Sequence, residues 1–295
     1  NAEGGPNSGI TTVLNAGPPG LVVNGFLLPG LETQVLAGTQ VHRLRFDNNS
    51  ILQTNPKYQR LFKKAYPNGV NGLVPNGSSV SREGLGAAKA IAAYERTLLA
   101  NQAPFQLWLQ GNHNALNSSQ LEGALLFFGK ANCVSCHTGP ALSTAPGTPA
   151  ERMFFNVGFK DLNTKKRNIL GTVSEGVSRG RGNFTGNPND DYKFKTPQLY
   201  NLANTKVFGH GGSFKSLKQV LNYKNRGKPQ RKGTRNLAEE FQPLNLTTKE
   251  LKHLHSFLAT ALLDPNLKRY QPRKLPSGNC FPAADFKSAL DLRCW

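Results

Sequence analysis

The segment Cys133-Val134-Ser135-Cys136-His137 constrains this chain of 295 residues more than any other feature. Two cysteines separated by two residues and followed at once by a histidine form the pattern of covalent c-type haem attachment. The thiols add across the two vinyl groups of a porphyrin, and the two-residue gap holds both sulfurs on one turn. His137 then lies under the iron and supplies an imidazole nitrogen. The motif predicts one covalent haem on Cys133 and Cys136, with His137 as an axial ligand.

Two other kinds of site also use closely spaced cysteines. A structural zinc site needs a second pair of ligands at suitable spacing, and Cys280 and Cys294 are not spaced in that way. A thioredoxin-like dithiol needs a strand before it and a long helix after it, whereas Thr138-Gly139-Pro140 follows here. The sequence therefore favours haem over both alternatives.

The other two cysteines, Cys280 and Cys294, bracket a short segment near the C-terminal end of the sequence. We expect them to form a disulfide, which for a loop of this size contributes about 3 kcal/mol; two free thiols are the alternative. A disulfide needs an oxidising compartment, and c-type haem is as a rule attached outside the cytoplasm. Both features predict a periplasmic or extracellular protein. No apolar run approaches the roughly 18 residues of a membrane span, and the Gly/Asn/Pro-rich start at Asn1 suggests a processed or truncated chain.

The formal net charge of +19 is concentrated in one part of the sequence. No acidic residue interrupts the basic residues Lys206, Lys215, Lys218, Lys224, Arg226, Lys228, Arg231, Lys232 and Arg235. Such a field attracts an acidic partner and speeds its association. Nucleic acid is an unlikely partner because no nucleic-acid-binding motif is present. We expect an acidic redox protein, or a larger redox complex, to dock on Lys206–Arg235; a basic shell that only aids solubility is the alternative.

Apolar periodicity and capping signals predict a mostly α-helical, loop-rich protein with weak strand signals. Helices are predicted over residues 58–65, 82–100, 120–128, 216–222 and 248–263. Ser81 is the predicted cap of the second, while Ser119 with Glu122 and Thr247 with Glu250 form predicted capping boxes. The helical region after residue 82 is predicted to end at Pro104, and the last helix is predicted to end at Asp264-Pro265.

Several short motifs stand in the order found in one known family. In sequence order they are Thr12-Val-Leu-Asn-Ala16, Leu31-Glu-Thr-Gln34, Ala90-Ile-Ala-Ala-Tyr-Glu-Arg-Thr-Leu98, Gly123-Ala-Leu-Leu-Phe127, Cys133–His137, Phe155-Asn-Val-Gly158, Phe194-Lys-Thr-Pro-Gln-Leu199 and His210-Gly-Gly-Ser-Phe214. From about Thr11 to Pro265 the chain resembles the bacterial di-haem cytochrome c peroxidase family, including the MauG-type enzymes. Each motif alone is weak, but their joint order is specific.

The resemblance implies two haem domains, each like a small class I cytochrome c, with calcium between them. One haem is the peroxide site and the other receives electrons from a donor. The motif at Cys133–His137 matches the second, C-terminal haem. The first motif would precede Thr11, so the sequence is either truncated or that of a one-haem relative. We expect residues 1–112 to be the remnant of the first domain, 113–268 the C-terminal haem domain, and 269–295 a tail.

The sequence departs from the family at two positions that matter for peroxide chemistry. Val23-Asn24-Gly25-Phe26 stands where a Trp-Asp-Gly-Arg stretch carries the relay tryptophan between the haems. No glutamate is present near Leu44–Arg45, where the family places the acidic residue of its peroxide pocket. General acid–base help with O–O cleavage would be lost. The resemblance therefore implies a peroxidase-type haem c oxidoreductase, with a non-catalytic electron-transfer or structural haem subunit as the alternative.

The resemblance also suggests the second axial ligand of the C-terminal haem. Alignment by motif puts Lys224 at the ligand position, where relatives have Met or Tyr, and Tyr223 one residue before it. Met153 is the only methionine and lies elsewhere. A five-coordinate iron is the alternative to ligation by Lys224 or Tyr223.

Two further sets of residues follow from the resemblance. His210 is expected to be a second-shell hydrogen-bonding residue rather than an iron ligand. Calcium would be bound by the side chain of Asn15 and the backbone oxygens of Thr205 and Val207, since hard oxygen ligands suit that ion.

Overall fold

The computed structural model describes residues 11–13, 21–23, 31–32, 35, 54–68, 82–145, 148–149, 152–160, 179–230, 233–272, 274–281 and 290. This part of the chain is mostly helical, with two small two-stranded sheets. The chain divides into two compact units. Unit 1 comprises Asn1–Leu14, Val22–Leu99 and Asn266–Trp295, and unit 2 comprises Asn15–Leu21 and Ala100–Pro265. The expected boundaries of the haem domains at residues 112 and 268 stay a prediction.

Two helices of unit 1 are described with their bounds. Helix α1, Pro56–Ala65, begins at a proline whose missing N–H costs nothing in the first turn, and the Asn55 side chain caps it. Helix α2 spans Arg82–Glu95 and is shorter than the predicted 82–100. It ends because the N–H and the hydroxyl of Thr97 both bond to the carbonyl of Tyr94, which closes a turn. The predicted cap Ser81 lies outside the described residues.

The remaining elements of the unit-1 region are short. Strands β1, Thr11–Val13, and β2, Leu21–Val23, form one two-stranded sheet. A 3₁₀ turn spans Leu267–Tyr270. The carbonyl of Leu99 accepts hydrogen bonds from Arg269 Nη2 at 3.1 Å and from the Tyr270 hydroxyl at 2.9 Å. These bonds join the end of one segment of unit 1 to the start of another.

The prediction that the helical region ends at Pro104 was wrong. Helix α2 already ends at Glu95, and Pro104 occupies the first turn of a helix that the sequence analysis missed, α3, Pro104–Leu109. A fixed φ near −65° suits this position. Phe105 of α3 is buried and meets Phe257 edge-on, with ring centroids 5.1 Å apart.

Helix α4, Ser118–Phe128, leads into the cysteine motif. Its capping box is formed by Asn117 and Gln120, each bonding to the other's backbone N–H at 2.9 Å. The predicted pair of Ser119 and Glu122 was therefore wrong by two residues. Instead, the Ser119 hydroxyl lies 2.9 Å from His253 Nδ1. The earlier cap starts the helix two residues before the predicted residue 120.

Helix α7, Thr248–Ser256, packs against α4 and begins with the predicted capping box of Thr247 and Glu250. The helices approach most closely at Gly123, where a Cβ would overlap with the carbonyl oxygen of His253 and lie 2.6 Å from Phe257 Cβ. After Ser256 the chain continues as a π-helical segment, Phe257–Ala261, rather than as the predicted α-helix. The α4–α7 crossing thus requires glycine and coincides with a change of helix type.

The main core of unit 2 surrounds this crossing. Its fully buried members include Phe127, Leu254, Phe257 and Leu262. The core also receives Leu217 and Leu221 from helix α6, Leu217–Arg226. This helix starts one residue after the predicted 216, because Ser216 is its N-terminal cap, and it runs beyond the predicted end at 222 to its C-terminal cap Gly227, at φ +57°.

A smaller cluster packs on another side of α6. It contains Phe214, Tyr223 and Phe241. A short helix, α5, Arg181–Thr185, and the antiparallel strands β3, Phe154–Phe155, and β4, Phe194–Lys195, complete the regular elements described in unit 2, apart from short 3₁₀ turns. The sequence analysis predicted none of these three elements.

Candidate functional site

The five-residue motif forms one tight turn after α4. Asn132 takes up a left-handed conformation, φ +45°, which asparagine tolerates better than most residues. A single 3₁₀ turn, Cys133–Ser135, follows, and the carbonyl of Cys133 accepts from the N–H of Cys136 and of His137, at 3.3 and 3.0 Å. The turn brings both thiols and the imidazole together. Cys133 and Cys136 are free cysteines and partly buried.

The orientation of His137 is fixed by a backbone acceptor. Its Nδ1 lies 2.5 Å from the carbonyl oxygen of Leu142. A carbonyl only accepts, so Nδ1 carries the proton and Nε2 keeps its lone pair. Leu142 is held by its own N–H bonding to Gly139, at 2.8 Å. Histidine ligands of metals are commonly oriented by this kind of bond.

The protonation states of the motif suit haem attachment better than the two rival sites. Burial raises the pKa of the Cys133 thiol to about 12 and raises that of Cys136 as well. Reactive dithiols and zinc ligands depend on the thiolate, which this setting disfavours. Burial lowers the pKa of His137 to about 4, so the imidazole is neutral, the form that binds iron. Within the described residues, no cluster of three His, Cys, Asp or Glu side chains could hold a metal ion.

Lys224 belongs to the same neighbourhood. It is partly buried on α6, and its Nζ lies 5.0 Å from the ring centroid of Phe241 and 5.4 Å from that of Phe159. Burial lowers the pKa of Lys224 to about 8. The charge of Lys224 in turn lowers the pKa of Cys133, against the larger effect of burial, and lowers the pKa of His137, in the same direction as burial.

Tyr223 belongs to the smaller cluster, although it precedes Lys224 directly. Its ring is buried in the smaller cluster, with centroids 5.2 Å from Phe214 and 5.3 Å from Phe241. Its hydroxyl donates to the carbonyl of Val157 at 2.5 Å. Burial raises the pKa of Tyr223 to about 12. These contacts are those of a core residue.

The remaining candidates are His210 and the predicted calcium ligands. His210 is exposed and stacks on Phe194, with centroids 3.6 Å apart. Thr205 and Val207 are exposed, whereas Asn15 lies outside the described residues, so the calcium site stays a prediction.

Cys280 is disulfide-bonded, but its expected partner Cys294 lies outside the described residues, so their pairing also stays a prediction. Leu44–Arg45, the expected position of the peroxide pocket, also lies outside the described residues. Val23 ends β2.

Three contributors to the site were missed by the sequence analysis. The Leu142 carbonyl carries no side-chain signal, and Phe159 and Phe241 reach Lys224 only through tertiary packing. Asn156, in contrast, lies in a motif that the sequence analysis singled out. It is 1% exposed, donates to the carbonyl of Arg235 at 3.0 Å and accepts from the N–H of Gly158 at 3.0 Å.

No helix of the described part of the chain is both long and apolar enough to cross a membrane.

The chain was compared with known proteins first by sequence. A family model described as di-haem cytochrome c peroxidase matches residues 32–114. Cytochrome-c peroxidase IdrP1 of Pseudomonas sp. (strain SCT) is 33% identical over 217 residues, which cover 64% of this chain and 55% of that protein. Methylamine utilization protein MauG of Methylorubrum extorquens is 30% identical over 220 residues, covering 72% and 52%.

A solved structure adds to these matches. A MauG-like protein associated with microbial copper homeostasis aligns with a TM-score of 0.51 at 25% identity, covering 65% of this chain and 60% of that one. The chain spans about half the length of IdrP1 and MauG. The motif order, the helical fold and these matches agree: the chain belongs to the di-haem cytochrome c peroxidase and MauG family.

Proposed function

We propose that this chain carries one covalent haem c, bound by thioethers from Cys133 and Cys136 with His137 as axial ligand, and acts as a haem c oxidoreductase of the cytochrome c peroxidase and MauG type. The observation that carries the proposal is the hydrogen bond from His137 Nδ1 to the Leu142 carbonyl. It assigns the proton to Nδ1, so Nε2 keeps the lone pair that can bind iron, on the same turn as both thiols. A bound haem supplies one-electron redox chemistry, at a potential set by its axial ligands and surroundings.

The residues around the motif have definite tasks in this proposal. The 3₁₀ turn holds the two sulfurs at the attachment sites. Leu142 fixes the imidazole plane and strengthens the basicity of Nε2. The core residues Phe127 and Leu254, both 0% exposed, exclude water from one side of the site. A dry setting disfavours extra charge on the iron and so helps to set its potential.

The test is the haem content of the mature protein. The pyridine haemochrome assay and intact mass should give one thioether-bound haem on this chain. A folded mature protein without haem would contradict the proposal. A count of two would mean that a further attachment segment exists outside the sequence considered.

A second candidate is a non-catalytic electron-transfer or structural haem subunit of a larger redox complex. Two features of the sequence favour it: Val23 in place of the relay tryptophan, and the absence of a glutamate near Leu44–Arg45. Both candidates keep the haem on His137 and differ only in peroxide turnover, which distinguishes them. A periplasmic or extracellular location and a calcium ion are part of the proposal in either case.

An acidic redox partner, or a larger redox complex, is proposed to dock on the basic segment, defined as Lys206–Arg235. Support comes from the exposure of its charged side chains. Those exposed within the described residues are Lys206, Lys215, Lys218, Arg226, Lys228 and Arg235. The segment also contains Lys224, next to the haem motif, so a partner bound there would be close to the redox centre. Exposed charges of one sign speed encounter with a partner of the opposite sign.

A further inference from the structure

The side chains of α6 separate into two sets by helical position. Leu217, Leu221 and Lys224 are spaced i, i+4 and i+7, so they lie along one stripe of the helix. Leu217 and Leu221 belong to the main core, against which Cys133 also packs. Lys224 therefore extends, by one turn, the stripe that faces the haem motif.

The electrostatics agree with this placement. The charge of Lys224 acts on the pKa of all three motif residues, Cys133, Cys136 and His137, whereas that of Glu240 acts on Cys136 alone among them. Its amine lies near the rings of Phe159 and Phe241. Those rings hold the long side chain but offer no oxygen to bind the amine.

The neighbouring candidates are less suitable. Tyr223 lies about 100° around the helix from Lys224, and its hydroxyl already bonds to the Val157 carbonyl. Met153 is 2% exposed, and the N–H of Thr196 bonds to its backbone carbonyl at 3.1 Å. It belongs to neither of the two clusters that flank α6.

We propose that the Lys224 amine is the second axial ligand of the iron bound by His137, an inference that rests on the proposed function. On binding, the ammonium releases its proton to solvent and the freed lone pair forms the Fe–N bond. The lowered pKa of Lys224 reduces the cost of that proton loss. A nitrogen donor in place of a thioether stabilises ferric iron, so the potential should be lower than that of a His/Met haem.

The experiment compares ferric holoprotein with Lys224→Ala, Lys224→Met, Tyr223→Phe and Met153→Leu variants, by electron paramagnetic resonance and near-infrared magnetic circular dichroism. Wild type should be low-spin with the charge-transfer band of a histidine–amine pair. Lys224→Ala should lose the low-spin signal completely. Lys224→Met, which retains volume if the alanine variant does not fold, should acquire a thioether-to-iron band and a raised potential. Tyr223→Phe and Met153→Leu should match wild type.

Several outcomes would overturn the inference: a high-spin wild type, an unchanged low-spin spectrum in Lys224→Ala, or loss of the wild-type signal in Met153→Leu or Tyr223→Phe. The haem count separates these outcomes from failure of the proposed function. If haem is absent, attachment itself is wrong; if haem is present with another ligand, only the assignment of Lys224 is wrong.

Discussion

The guanidinium of Arg96 donates two hydrogen bonds to the carboxylate of Glu32, at 2.7 and 2.8 Å, and so joins two of the sequence motifs that identify the family. The side chain of Glu32 is 9% exposed and that of Arg96 is 46% exposed. Burial is the largest single influence and acts to raise the pKa of Glu32, but the bonds from Arg96, a backbone hydrogen bond and the charges of Arg96 and Lys89 together leave that pKa below its usual value of 4.5. The pair stabilises unit 1 through the charged form of Glu32.

Removal of Arg96 should therefore destabilise the protein. Arg96→Leu leaves a buried carboxylate without its partner, and we expect a loss of about 1–3 kcal/mol in urea unfolding at pH 7. Lys130→Ala is the control, because it breaks the exposed ion pair with Glu250 and should have a clearly smaller effect. If both substitutions lowered the free energy of unfolding equally, burial of Glu32 would not make its ion pair more stabilising than an exposed one.

The same pair predicts a pH dependence. Because the pKa of Glu32 is lower in the folded than in the unfolded protein, its contribution is complete above pH 4.5 and is lost as the pH falls through the folded value. The stability difference between wild type and Glu32→Gln should be largest near neutrality and should shrink in acid. A stability difference that grows below pH 4.5 would show that folding raises the pKa of Glu32 rather than lowering it.

Haem attachment should depend on both cysteines. Cys136→Ala removes one thioether, so intact mass and denaturing gels should show loss of stable two-bond attachment; the Cys133→Ala, Cys136→Ala double variant should contain no covalent haem. Ser135→Ala lies between the two cysteines and removes a hydroxyl that donates to the Asn132 carbonyl and, at 3.9 Å, to Cys136 Sγ; it leaves both sulfurs in place, so it should keep the haem. Covalent haem in the double variant would exclude this site.

The close packing of α4 against α7 predicts that a larger residue in place of Gly123 is destabilising. Gly123→Ala places a methyl against the His253 carbonyl and should destabilise the protein by about 1–3 kcal/mol or more, because the crowding outweighs the gain in helix propensity. Glu122→Ala is the matched control, exposed on the same helix. Urea midpoints that do not differ would mean that the helices can separate at this point without cost.

Docking on the basic segment predicts a strong salt dependence. Lys215→Glu with Lys218→Glu should slow association with an acidic single-haem cytochrome c, and the effect should fade as salt screens charges over about 8 Å. Lys63→Glu with Lys64→Glu makes the same change of charge on exposed positions of α1 and should have little effect. Association rates independent of salt would contradict the docking surface.

Peroxide turnover should be weak. General acid–base groups commonly contribute about 10²–10⁴-fold, and no glutamate is present at the expected pocket position. Turnover with a reduced small cytochrome as donor should fall below that of a two-haem relative by a similar factor. Rates equal to those of the relative would place the peroxide pocket elsewhere in the protein.

Features set by local sequence were the ones that could be predicted. The cysteine turn, the capping box at Thr247 and Glu250 and the existence of the longer helices depend on residues close in sequence. The cap of α4 was misplaced because Asn117 with Gln120 and Ser119 with Glu122 are both suitable pairs, and only the contact of Ser119 with His253 distinguishes them.

Features set by tertiary contacts could not be predicted. The π-helical segment follows the close approach of α4 and α7 at Gly123, and the bond that orients His137 uses a backbone carbonyl. The sequence pointed to both Lys224 and Tyr223. Packing separates them: Tyr223 is buried in the smaller cluster, whereas Lys224 is only partly buried and its charge acts on the pKa of Cys133 and of His137.

Unit 1 is built from segments on both sides of the long Ala100–Pro265 segment of unit 2, with Leu99 bonded to Arg269 and Tyr270. During synthesis, residues 266–295 leave the ribosome after that whole segment. Domains generally fold as units in the order in which they are made. The segment that carries the cysteine motif can therefore complete its core before unit 1 receives its C-terminal residues, so the two units need not be completed at the same time.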